Sequence, residues 1–231
     1  MKTIGLLGGM SWESSLEYYR IINETVKRKL GGLHSAKSLM FSFDFHEIEE
    51  LQARGDWQGA TEMMVSGARK LEAGGADFLI ICTNTMHLMA DEVASSVKIP
   101  LVHIADATGD RVAESGLKRV ALLGTKFTME QDFYKGRLAE KYGLDVITPD
   151  KHDRQKVHDI IYNELCLGEI NDKSRKIYLE IIEKLANDGV EGVILGCTEI
   201  PLLVKQEDVE LPLFDTTKIH AEAAVEFALK S

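Results

Sequence analysis

Strand-length apolar runs alternate along the chain with longer stretches of helical period. Thr3-Ile4-Gly5-Leu6-Leu7-Gly8-Gly9 opens it as an apolar run closed by glycines. Arg119-Val120-Ala121-Leu122-Leu123-Gly124-Thr125 repeats that form, and Phe78–Cys82 and Val193–Leu195 are further runs of the same kind. Behind Ser11-Trp12-Glu13-Ser14, which has the look of a capping box, Leu16, Tyr19, Ile22 and Val26 recur at helical spacing. Gln58–Ala73 carries Met63, Ala68 and Leu71 as its stripe. Met129–Lys141, Lys156–Leu167, Ser174–Asn187 and Ala221–Lys230 supply further helices. Strands alternating with helices in this way predict an α/β fold with mainly parallel sheets covered on both faces.

Three landmarks occur twice, in the same order. Gly8 and Gly124 lie 116 positions apart, the run 75–85 matches 189–199 at a separation of 114, and Ile99-Pro100-Leu101-Val102 matches Leu211-Pro212-Leu213-Phe214 at 112. One such pair is no more than a reused apolar strand, whereas three in register point to an internal duplication. The chain is therefore read as two similar α/β lobes, residues 1–105 and 106–210, with the C-terminal helix in 211–231 packing back on the first. A pseudo-twofold relating the lobes would place the active site in the cleft between them.

Composition narrows the chemistry. The 231 residues carry 27 Lys+Arg against 37 Asp+Glu, a formal charge of −10. That acidic balance argues against a nucleic-acid partner, which needs clustered cations. The apolar runs fall well short of the roughly 20 residues of a spanning helix, and the first is too short and glycine-rich for a secretory signal. Cys82, Cys166 and Cys197 have no C-x-x-C spacing, so neither a metal site nor a disulfide scaffold is expected. A cytoplasmic protein with free thiols and no membrane partner is the expectation.

In open parallel sheets, ligands bind beyond the carboxyl ends of the strands. The residues there are Gly8-Gly9-Met10-Ser11, Cys82-Thr83-Asn84-Thr85, Gly124-Thr125 and Gly196-Cys197-Thr198-Glu199, each leading into a helix whose first N–H groups favour an anion. Gly8–Glu13 fits neither nucleotide-binding glycine pattern. The Gly-Cys-Thr-Glu turn is expected to expose Cys197 and lower its pKa, although a small buried residue also suits a strand end. A protease-like pairing of Cys197 with His87 or His103 has no local support. Cys166, between Leu165 and Leu167, reads as packing, and His87, one turn into a helix, as a capping or packing residue.

Together these motifs resemble the aspartate/glutamate racemases, enzymes independent of pyridoxal phosphate in which two thiols flank the substrate α-carbon. The resemblance runs from Met1 to the final helix. It rests on Ile-Gly-Leu-Leu-Gly-Gly-Met at 4–10, Asn84-Thr85-Met86-His87 and Gly196-Cys197-Thr198-Glu199. It departs at Thr83, where most members carry a cysteine. Cys82 is one position earlier, and strand neighbours point to opposite faces, so it does not substitute. The chain is similar to a subgroup with a Thr/Cys pair and the same Cys-Thr-Asn-Thr-Met-His and Gly-Met-Ser-Trp-Glu-Ser strings.

The resemblance implies a homodimer without cofactor, acting on an amino acid by proton transfer at the α-carbon. Cys197 as thiolate would serve the L-enantiomer, and Thr83, directly or through a water, the other face. Asn84, Thr85 and Thr198 would surround the carboxylate, with Met10, Ser11, Thr125 and Glu199 completing the substrate-binding set. Aspartate-specific members use an Arg after the second strand and a Lys in the second half. Here Glu47–Gln52 has no cation before Arg54, and Cys166 stands at the Lys position. Gln52 is then a neutral side-chain ligand, which adds polar neutral substrates such as homoserine to aspartate and glutamate. Two alternatives stand beside this reading. One is a related two-lobed enzyme such as maleate isomerase, arylmalonate decarboxylase or hydantoin racemase; the other is an amino-acid-binding protein without turnover.

Overall fold

The computed structural model describes residues 1–230. In chain order it contains β1 (Ile4–Gly8), α1 (Trp12–Leu30), β2 (Ser38–Ser42), α2 (Phe45–Arg54), α3 (Trp57–Ala73), β3 (Phe78–Ile81), α4 (Ala90–Ser95) and α5 (Ile104–Glu114). There follow β4 (Arg119–Gly124), α6 (Lys126–Glu130), α7 (Asp132–Tyr142), β5 (Asp145–Ile147), α8 (Lys151–Asn163), α9 (Asp172–Asn187), β6 (Gly192–Gly196), α10 (Ile200–Leu203), β7 (Leu213–Asp215) and α11 (Thr216–Leu229). The chain forms two compact units, Met1–Ile104 with the segment from His220 onward, and Ala105–Ile219.

Every strand pairing is parallel. The first unit's sheet runs β2-β1-β3, and a parallel bridge from Leu79 to Leu101 extends it; the second unit's sheet runs β5-β4-β6-β7. The two orders correspond element by element, down to the register. Leu7 pairs with Ile81 as Leu123 pairs with Leu195. The Pro100 carbonyl accepts from Leu79 N–H at 2.8 Å, as the Pro212 carbonyl accepts from Val193 N–H at 2.9 Å.

Alternation along the strands divides each unit into two faces. In the first, Ile4, Leu6, Phe78, Ile80 and Cys82 pack with Tyr18, Ile22 and Val26 of α1 and with Ala221, Ala224, Val225 and Ala228 of α11. Leu7, Leu79 and Ile81 face the other way, onto Met64, Ala68 and Leu71 of α3. In the second unit Ala121, Leu123, Val193, Leu195 and Cys197 pack with Val157 and Ile161 of α8 and Tyr178, Ile181 and Ile182 of α9. Strands covered on both faces need apolar residues at successive positions, which is why β1, β3 and β6 read as unbroken runs.

Some sequence expectations shift. Leu16 and Tyr19 are 55% and 52% exposed, and Tyr18 takes the core position instead. The helix expected over Met129–Lys141 is broken at Gln131, whose φ of −89° and ψ of 153° are extended. Lys156–Leu167 is α8, beginning earlier at Lys151, followed by a separate 3-10 turn at Leu165–Leu167 that holds Cys166. The segment 211–231 does not go to the first unit as a whole. β7 pairs with β6 in the second sheet, because Val193 and Leu195 need a neighbour on that edge, and α11 begins at Thr216.

Candidate active site

The loop after β1 is tied down by serine hydroxyls. Gly9, at φ +87°, donates its N–H to Ser15 Oγ at 2.7 Å, and Ser15 Oγ–H donates to the Ser11 carbonyl at 3.0 Å. Ser14 Oγ–H donates to the same carbonyl at 2.9 Å. Ser11 is the N-cap of α1, accepting from Ser14 N–H at 3.4 Å. A Cβ on Gly9 would collide with the Phe43 backbone, so the close approach of that strand end requires glycine. Of the expected substrate residues here, Ser11 is buried at the helix start, whereas Met10 packs into the apolar cluster with Leu7, Ile48 and Met86.

Two residues beyond the paired Leu7–Ile81 stands Thr83, and two beyond Leu123–Leu195 stands Cys197. The corresponding position to Cys82 is Gly196. Cys82 lies wholly buried with Ile80 and Phe78, and that burial pushes its thiol pKa far up. Thr83 is half-buried. Thr83, not Cys82, therefore occupies the position equivalent to Cys197.

Cys197, 7% exposed, donates its S–H to Glu199 Oε2 at 3.0 Å, and Thr198 Oγ1–H donates to the same oxygen at 2.7 Å. Burial first, then the Glu199 carboxylate and Cys166, push the Cys197 pKa well above the ordinary 9.0. This reverses the expectation from sequence. The helix that follows is only Ile200–Leu203, too short for its dipole to offset desolvation and an adjacent carboxylate. Glu199, expected at the substrate, is engaged with the thiol and with Thr198. Thr125 caps α6, accepting from Thr128 N–H at 3.3 Å, and is buried. Cys166 packs against the apolar cluster that contains Cys197.

Asn84 and Thr85 are buried where β3 turns into the 3-10 helix Thr85–Met89. Gln52, 6% exposed on α2, donates from Nε2 to Met86 Sδ at 3.1 Å, which places it beside that turn. Arg54 turns to Glu50 instead, donating from Nε to its carbonyl at 3.2 Å. Sequence reasoning missed a buried histidine group in the first unit. His87 and His103 rings lie 4.5 Å apart and His87 and His220 5.7 Å apart. His220 donates from Nε2 to the Val102 carbonyl at 2.8 Å and accepts from Tyr18 O–H at Nδ1, also at 2.8 Å. No sequence signal links positions 87, 103 and 220; the sheet and α11 bring them together. Among the described residues no group of three or more His, Cys, Asp or Glu is arranged to hold a metal, and no helix is long and apolar enough to cross a membrane.

Two duplicated α/β units, with a thiol at one strand end and a hydroxyl at its equivalent, define the class. The chain belongs to the Asp/Glu/hydantoin racemase family, whose pattern it matches over residues 7–224. A protein from Yersinia pestis assigned as an Asp/Glu racemase shares 55% identity at a TM-score of 0.93, with 100% of both chains covered. An aspartate racemase homologue from Pyrococcus horikoshii shares 37% at a TM-score of 0.86, again covering 100% of both. The broad specificity amino-acid racemase of Bacillus subtilis is 24% identical over 164 residues, 70% of this chain and 69% of that one.

Proposed function

We propose that the protein is a cofactor-independent amino-acid racemase whose Cys197 and Thr83 address opposite faces of one α-carbon. The observation that carries this reading is the register match that puts a thiol and a hydroxyl at equivalent strand ends. From the L-enantiomer, Cys197 as thiolate takes the α-hydrogen as a proton and becomes S–H. The C–H electron pair stays on Cα and spreads into the carboxylate, stabilised by backbone N–H groups and by Asn84, Thr85 and Thr198. The opposite face receives its proton from the Thr83 hydroxyl or a water it holds, and solvent replaces that proton. A hydroxyl is a far poorer base than a thiolate, so exchange from the D-enantiomer is slow or absent.

The raised Cys197 pKa sets the pH dependence. Thiolate is scarce near neutrality, so L-side exchange climbs with pH and is still climbing at 9.0, the ordinary thiol value. Substrates with polar neutral side chains, such as homoserine, are favoured beside aspartate and glutamate: Gln52 is buried next to the Asn84 turn, while Arg54 is drawn off by Glu50. Similarity to a broad specificity racemase supports a tolerant side-chain pocket.

The test is α-proton exchange in D2O for a panel of both enantiomers. Cys197→Ser should abolish exchange from the L-enantiomer, Thr83→Cys should create or raise exchange from the D-enantiomer, and Thr83→Ala should damage net racemisation more than L-side exchange. Equal D- and L-rates in the wild type, or L-side exchange persisting in Cys197→Ser, would refute these roles.

A further inference from the structure

Resting on the racemase reading, we infer that His87 is the positioning residue of the Thr83 half-site, acting through the peptide that joins Thr83 to Asn84. The His87 ring makes two hydrogen bonds with backbone atoms. Its Nδ1 lies 2.7 Å from the Thr83 carbonyl oxygen, and its Nε2 lies 3.2 Å from the Ile104 nitrogen. A carbonyl oxygen only accepts and an amide N–H only donates, so one protonation state satisfies both contacts. The ring is neutral, its proton sits on Nδ1, and Nε2 is the acceptor.

The consequence falls on the next residue. The Thr83–Asn84 peptide is trans and planar, so its C=O and N–H point in opposite directions. Holding the Thr83 carbonyl against the imidazole turns the Asn84 N–H away from it, at the end of β3 where an α-carboxylate is to be held. The second unit reaches the same end by backbone alone. There the equivalent carbonyl, that of Cys197, accepts from Ile200 N–H at 3.2 Å, and Pro201 stands at the position equivalent to His87. A side chain thus performs in one unit what a tight turn performs in the other. His103 and His220, packed edgewise on the ring, and Tyr18, bonded to His220, hold it in place.

Two measurements decide this. Imidazole 1H–15N correlation spectra of the wild type at pH 7.5, without substrate, should show His87 neutral with its proton on Nδ1; a proton on Nε2, or on both nitrogens, would overturn the assignment. Kinetics supply the second. His87→Asn places an amide donor where Nδ1 was, and His87→Gln places one only at the Nε2 end. KM for α-proton exchange should stay near wild type in His87→Asn and rise roughly tenfold or more in His87→Gln, as expected for a misdirected hydrogen bond to a carboxylate, with kcat less affected. A KM in His87→Gln no higher than in His87→Asn, or a loss confined to kcat, overturns the inference. If the wild type exchanges no amino acid, the racemase reading fails by itself, and the proton position still decides whether His87 holds the peptide.

Discussion

Replacing Ser15 by alanine should destabilise the protein more than replacing its neighbour Ser14, although both hydroxyls bond the same Ser11 carbonyl. Ser15 Oγ also accepts the Gly9 N–H at 2.7 Å in a buried setting. Without it that donor is orphaned, at a cost of about 1–3 kcal/mol. Ser14→Ala removes a donor shared between the Ser11 carbonyl at 2.9 Å and the Cys82 carbonyl at 3.5 Å, and the Ser11 carbonyl keeps Ser15 Oγ–H at 3.0 Å, so the loss is about 1 kcal/mol. For a chain of this length each kcal/mol moves the midpoint by about 2–4 °C, giving roughly 2–12 °C for Ser15→Ala, centred near 4–8 °C, and about 2–4 °C for Ser14→Ala. Thermal melts followed by circular dichroism on both variants provide the comparison. A Ser15→Ala midpoint equal to or above that of Ser14→Ala would refute the claim that the hydroxyl is the Gly9 partner. Because Gly9 leads directly into Met10 and Ser11, Ser15→Ala should also raise KM for exchange.

Glu199→Gln removes the carboxylate that helps push up the Cys197 pKa, so thiolate should form at lower pH, and the rise of L-side exchange should shift the same way. Thiolate absorbance near 240 nm and the pH–rate profile check this, and an unmoved or higher rise would discard Glu199 as a cause. Burial lowers the His220 pKa from 6.5 to about 4, so folding favours its neutral form. That contribution is complete above about pH 6.5 and is lost as the pH falls toward 4. The melting temperature of the wild type should drop across this window, and in His220→Gln the drop should flatten; parallel profiles would refute the assignment.

The strand ends and the turns that follow them were legible because they depend on local pattern. Glycine-closed apolar runs marked β1 and β4, Ser11 announced its helix, and strand alternation alone separated Thr83 from Cys82. What the sequence hid depended on tertiary surroundings. Adjacent Tyr18 and Tyr19 both fit a helical stripe, and only packing against α11 and the sheet selects Tyr18. Gln131 breaks a helix with no glycine or proline to signal it. The Cys197 pKa runs against its sequence because a helix start is visible there, whereas desolvation and the direction of the Glu199 carboxylate are not. His103 and His220 drew no notice as partners of His87 because the folded sheet alone makes them neighbours.

The C-terminal helix also orders events during synthesis. One face of the first unit's sheet is closed by Ala221, Ala224, Val225 and Ala228, and the Ala228 carbonyl accepts from Lys2 N–H at 2.9 Å. Those residues are translated only after the whole of Ala105–Ile219, a contiguous stretch of 115 residues that holds its own sheet and core. At about 5–20 residues per second, that interval lasts roughly 6–23 seconds. Throughout it, Ile4, Leu6, Phe78 and Ile80 have α1 against them but lack the part of their cover that α11 supplies, whereas every strand of the second unit lies within the stretch being made. The half of the protein made first is therefore completed last, and the nascent chain presents a partly covered apolar sheet face for chaperones to shield.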